Sequence, residues 1–84
     1  MDIAEQIRTY VSRNFLYSDG EYPFHNDASF LEEGIIASIG VLELVLFVEE
    51  TFGVVIDDQE VTPEHFDSVS RLAEFVRGKM EMSG

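Results

Sequence analysis

Apolar residues recur at spacings of three and four over residues 2–16, at Ile3, Ile7, Tyr10, Val11 and Phe15, which predicts an amphipathic helix with one buried stripe. Arg8 and Arg13 fall toward its C-terminal half, where cations suit the helix dipole. The period is then lost. Residues 17–37 carry turn signals at Ser18-Asp19-Gly20, Pro23 and Asn26-Asp27, and so long a connection in a small domain is either functional or pinned by its own apolar side chains. Phe24, Phe30, Leu31, Ile35 and Ile36 are the expected pins. The helical period resumes at Ser38 and runs to Phe52, with Gly53 placed to end it as a left-handed C-cap.

Val54-Val55-Ile56 has strand propensity but no second strand to pair with, so an extended apolar connector is expected. Thr62-Pro63-Glu64 sets an N-cap residue before a proline at the first helical position, predicting a short helix from Pro63 to Phe66 or Asp67. Ser68 then caps a final helix to about Lys79, with Val69, Leu72, Phe75 and Val76 as its core face and residues 80–84 as a frayed tail. The expected fold is all-α: three main helices plus one short helix, with a long loop between the first and second. It forms a single domain over residues 1–84, without repeats or interdomain linkers. Ile7, Val11, Leu44, Val48, Phe52, Leu72, Phe75 and Val76 are its expected core.

The second helix is not ordinarily amphipathic. At about 100° per residue, Val41, Leu44, Val45, Phe47, Val48 and Phe52 share the face that packs inward. The opposite face carries Ile39, Leu42 and Leu46 beside Glu43, Glu49 and Glu50, on the same side as Ser38. An 84-residue bundle can hardly enclose a helix that is apolar nearly all round. Isolated apolar residues are ordinary on surfaces, but three grouped among three glutamates look more like a docking patch with an apolar centre and an acidic rim.

Composition sharpens this picture. The chain is 45% hydrophobic with seven Phe, enough for a real core, and its net charge is −12. All five basic residues, Arg8, Arg13, Arg71, Arg77 and Lys79, lie near the ends, so thirteen of the seventeen acidic residues sit in a central stretch with no positive side chain. Such a surface keeps a small protein in solution and also steers a basic partner. A nucleic acid backbone would be repelled. Without Cys there is no disulfide, no thiolate nucleophile and no cysteine-bound zinc. The acidic start Met1-Asp2-Ile3-Ala4-Glu5 is unlike a secretory signal. The longest apolar run, Leu44 to Val48, is too short to span a bilayer. A cytoplasmic, monomeric protein is expected.

Ser38 has two compatible roles. Its hydroxyl suits an N-cap accepting the N–H of Gly40 or Val41, without the reciprocal capping box because the third residue on is Val41. It equally suits a phosphate ester, an anion favoured at a helix N-terminus. Catalysis by the chain itself is not expected. His25 and His65 form neither a triad nor a metal pair with anything nearby, and Gly34-Ile35-Ile36-Ala37-Ser38 is not a nucleophile elbow. No calcium loop or glycine-rich phosphate loop occurs.

The run Asp27-Ala28-Ser29-Phe30-Leu31-Glu32-Glu33-Gly34-Ile35-Ile36-Ala37-Ser38-Ile39, followed by Glu43-Leu44-Val45 and Glu49-Glu50-Thr51-Phe52-Gly53, resembles the acyl carrier proteins. The resemblance covers nearly the whole chain. It implies that Ser38 takes a 4'-phosphopantetheine from coenzyme A, added by a separate magnesium-dependent phosphopantetheinyl transferase. The arm's thiol would carry acyl or aminoacyl groups as thioesters, supplying the sulfur the chain lacks. It implies partners with basic docking patches: acyl- or aminoacyl-activating ligases, synthases or acyltransferases of fatty-acid, polyketide or other secondary-metabolite synthesis. Ile39, Leu42, Glu43, Leu46, Glu49 and Glu50 match the family's partner contacts. One position departs: the family usually has Asp before the modified serine, where this chain has Ala37. The alternative expectation is an unmodified acidic adaptor that binds a basic protein.

Overall fold

Where the apolar period runs, the chain is helical. The computed structural model describes residues 2–18 and 22–83. It contains α1 (Ile3–Asn14), α2 (Val41–Phe52), α3 (Pro63–Phe66) and α4 (Val69–Ser83), with 3-10 turns at Ser38–Gly40 and Asp58–Glu60. No strand occurs among the described residues. The expected all-α bundle of three long helices and one short one is the observed architecture. The Asp19-Gly20 part of the expected first turn, and Gly84, lie outside the described residues.

Ile7 and Val11 of α1, Leu44 and Val48 of α2, and Val69, Leu72 and Val76 of α4 are fully buried. Each such side chain contributes about 1.5–3 kcal/mol by leaving water. α4 is the hub, packing against α1, α2 and α3. Phe52 and Phe75 reach only the rim of this core. Tyr10 and Phe15, also expected in the buried stripe, are half-buried and form an aromatic seam instead. The Tyr10 ring stacks on Phe47 with centroids 3.9 Å apart and meets Phe15 edge-on at 5.9 Å.

The 15–37 connection is held by both apolar and polar groups. Phe30, Ile35 and Ile36 are buried as expected and Phe24 is half-buried, but Leu31 is exposed. Leu31 is turned outward because Asp67 grips its backbone. The Asp67 carbonyl accepts the Phe30 N–H at 2.7 Å, and its carboxylate accepts the Leu31 N–H at 3.1 Å and the Ser29 hydroxyl. Asn26 adds a second tie, accepting from Ser70 N–H through its carbonyl and from Arg8 through its side chain. Replacing Asp67 with alanine leaves two donors without their acceptor and is expected to cost about 1–3 kcal/mol. A urea titration measures this; an unchanged midpoint would show that the carboxylate does not hold the loop.

Gly53 ends α2 at φ 68°, donating its N–H to Glu49 O, and the connector after it alternates as an extended segment should. Val54 and Ile56 are buried and Val55 is exposed. The Asp58–Glu60 turn was not expected; the Glu60 carboxylate closes it by accepting the Asp57 N–H at 3.0 Å. Pro63 starts α3 as expected. Ser68 caps α4, its hydroxyl accepting the Arg71 N–H at 3.1 Å. α4 then continues to Ser83 rather than ending near Lys79, so the expected frayed tail is helical as far as Ser83. Lys79-Met80-Glu81-Met82 are good helix formers with no stop signal among them.

Candidate functional site

The helical run begins at Ser38 as its sequence pattern suggests, but as a 3-10 turn, and Ser38 is its first residue rather than its cap. Ala37 is extended, at φ −74° and ψ 160°, and occupies the capping position. Gly40 N–H therefore donates to the Ala37 carbonyl at 2.8 Å, and Val41 N–H to the Ser38 carbonyl. The expected cap bond to the Ser38 hydroxyl is not formed, because main-chain carbonyls hold both candidate donors. Ser38 is exposed, and its hydroxyl has no hydrogen-bond partner among the described residues. It stands at the head of a helical run continuing through α2, the end of a helix that favours anions.

Ser38 also lies on the edge of a pocket of about 240 Å³ between the start of α2 and α3. Phe30, Leu42, Val61 and Phe66 supply apolar wall, and Thr62 and Asp67 contribute the polar groups. The Thr62 hydroxyl oxygen is buried with no hydrogen-bond partner among the described residues, and it does not cap α3. The pocket volume is below the roughly 300–1,000 Å³ of ordinary small-molecule pockets, so it suits a short substituent rather than a long chain. Sequence periodicity located Ser38 but not the far wall of this pocket, which comes from residues 61–67.

The outer face of α2 is as apolar as its spacing predicts. Ile39 is 81% exposed, Leu42 64% and Leu46 57%. Glu43 and Glu50 are exposed beside them, and among the described residues no cation pairs with either. Their field reaches across the helix. Burial first, then Glu43 and Glu50, holds the Tyr10 phenol above its ordinary pKa. Glu49 differs from its neighbours: half-buried, it accepts the Ile56 N–H at 2.9 Å and clamps the connector to α2.

The histidines are not drawn to Ser38. His25 is exposed in the long connection, and His65 stacks on Phe75 at 4.5 Å. No cluster of metal-ligating side chains occurs among the described residues. A depression of about 510 Å³ on α3 and α4 does not include Ser38. Two of its charges are already engaged, with Lys79 Nζ 2.7 Å from Glu60. That contact, with the Asp57 N–H, holds the Glu60 carboxyl below its ordinary pKa. None of the described helices is long and apolar enough to cross a membrane.

Over 78 residues, the sequence is 27% identical to aminoacyl carrier protein 2 of Bradyrhizobium diazoefficiens, covering 93% of this chain and 82% of that protein. No family profile matches. The similarity supports a carrier-protein role. The residues present fit a phosphopantetheine arm: the hydroxyl is reachable and unpaired, and a pocket adjoins it.

Proposed function

We propose that this protein carries short acyl groups, aminoacyl groups included, as thioesters on a 4'-phosphopantetheine arm esterified to Ser38. The carrying observation is the exposed Ser38, whose hydroxyl has no hydrogen-bond partner among the described residues and which lines a pocket of about 240 Å³. In loading, the Ser38 oxygen forms an ester bond to the pantetheine phosphate as the pyrophosphate bond of coenzyme A breaks. The hydroxyl proton is lost and adenosine bisphosphate departs. The arm supplies a thiol for thioester exchange. Every other task falls to the chain: Ser38 anchors, the pocket shelters the cargo, and Ile39, Leu42, Glu43, Leu46 and Glu50 receive partner enzymes. The chain itself catalyses no step, and its setting is cytoplasmic.

Incubation with coenzyme A, magnesium and a broad-specificity transferase is expected to add one phosphopantetheinyl group, read by intact mass, and none to Ser38→Ala. A wild-type chain that gains no mass with several transferases overturns this reading. Ala37 favours one alternative, since the neighbouring carboxylate usual in acyl carriers is missing. Under that alternative the chain is an acidic adaptor whose α2 face binds a basic protein without covalent chemistry.

A further inference from the structure

Gly40 lies two residues beyond Ser38, in the same 3-10 turn. Its backbone, at φ −70° and ψ −15°, is ordinary right-handed helix that any residue adopts. Conformational freedom therefore does not explain a glycine here. Space does. A Cβ at this position would stand 2.9 Å from Phe15 Cε1 and 3.0 Å from Ile36 Cγ2, closer than packed carbons approach.

Neither neighbour yields freely. Ile36 is buried, and the Ile35 and Ile36 N–H groups both donate to the Phe30 carbonyl, at 2.8 and 3.2 Å. Phe15 caps α1, its N–H donating to Val11 O, and its ring is braced edge-on against Tyr10, itself stacked on Phe47. The turn thus rests directly on α1 through a contact that only a missing side chain allows. Among the described residues no side-chain bond orients Ser38, so the direction of its hydroxyl is inherited from this turn.

We propose that Gly40 is a positioning residue for Ser38: by letting the turn seat on Phe15 and Ile36, it sets where the hydroxyl is offered to the modifying enzyme. This rests on the carrier role proposed above. Adding a methyl lifts the turn by a few tenths of an ångström and rotates Ser38, while the exposed side chains of α2 are unchanged. Since a displacement of about 1 Å can cost on the order of 100-fold in rate, the smaller lift is expected to cost about tenfold. The loss should fall chiefly on kcat, because Ile39 is the one docking side chain within the turn and Leu42, Glu43, Leu46 and Glu50 lie beyond it.

The test measures transferase kinetics on the full chain, with coenzyme A and magnesium, for wild type, Gly40→Ala, Phe15→Leu and the double variant. Gly40→Ala is expected to lower kcat about tenfold with KM little changed. Phe15→Leu, which removes the ring beneath the turn, should lower kcat severalfold. The double variant, in which the added methyl occupies the cleared space, should return to within about threefold of wild type. Gly78→Ala is the control, since a Cβ there meets nothing within 4 Å; it should raise the melting temperature and leave loading unaltered. Wild-type kcat in Gly40→Ala, with only a lowered melting temperature, overturns the positioning role and leaves the carrier reading standing. Should Gly40→Ala not fold, Phe15→Leu decides, and wild-type kcat there overturns the proposal. Wild-type chain that accepts no group overturns both.

Discussion

Reversing Glu43 or Glu50 to lysine is expected to slow association with a basic partner enzyme by about tenfold at low salt. The same reversal at Glu81 on α4 is expected to change it much less. Glu43 and Glu50 are exposed beside Ile39, Leu42 and Leu46, and no described cation neutralises them. They act at a distance, on the encounter, so the effect belongs to the on-rate. It should fade as ionic strength rises and the screening length drops to about 8 Å. Glu49 is a poorer probe of docking, although its position on the helix marks it as equivalent. Its carboxylate holds the Ile56 N–H at 2.9 Å, so Glu49→Lys also releases the connector and lowers stability. Stopped-flow association at two salt concentrations separates the cases. Equal slowing at all of these positions would mean that the net charge of −12, rather than a localised face, steers the partner.

Periodicity located the helices because a helical face is a local property, written every three or four residues. It placed Leu44 and Val48 inside and Ile39, Leu42 and Leu46 outside, as observed. What it missed depends on contacts between distant parts of the chain. Leu31 looks like one more apolar pin until Asp67, after α3, is seen to hold its backbone and turn it outward. The capping position fell on Ala37 instead of Ser38 because Ala37 is extended, which side-chain chemistry does not announce. Val61, Thr62 and Phe66 line the pocket beside Ser38 only because the chain at 61–66 comes to face the start of α2 across it. Gly40 reads as an indifferent helix residue, and its meaning appears only when Phe15 lies beneath it.

The sharpest test of this inside–outside division lies within one turn of α2. Leu44 is 0% exposed and Leu46 is 57% exposed, though both are leucines in the same apolar run. Leu44→Ala removes a side chain enclosed on all sides and leaves a cavity, costing about 2–5 kcal/mol. Domains of this size have total stabilities toward the lower end of about 5–15 kcal/mol, so the loss is a large fraction of the whole. At about 4–8 °C per kcal/mol, the melting temperature should fall on the order of 10–30 °C. Leu46→Ala deletes the same atoms from a surface that water already reaches, and its effect should stay within about 0.5 kcal/mol. Its cost appears instead when a partner covers α2: Leu46 lies in the apolar patch, and a central contact that becomes one of the few dominating an interface is worth more than about 1 kcal/mol of affinity. Thermal melting and partner titration of the two variants should therefore cross, one losing stability and the other losing binding. If Leu46→Ala melts as early as Leu44→Ala, the outer face of α2 is packed against the bundle and is not free for docking.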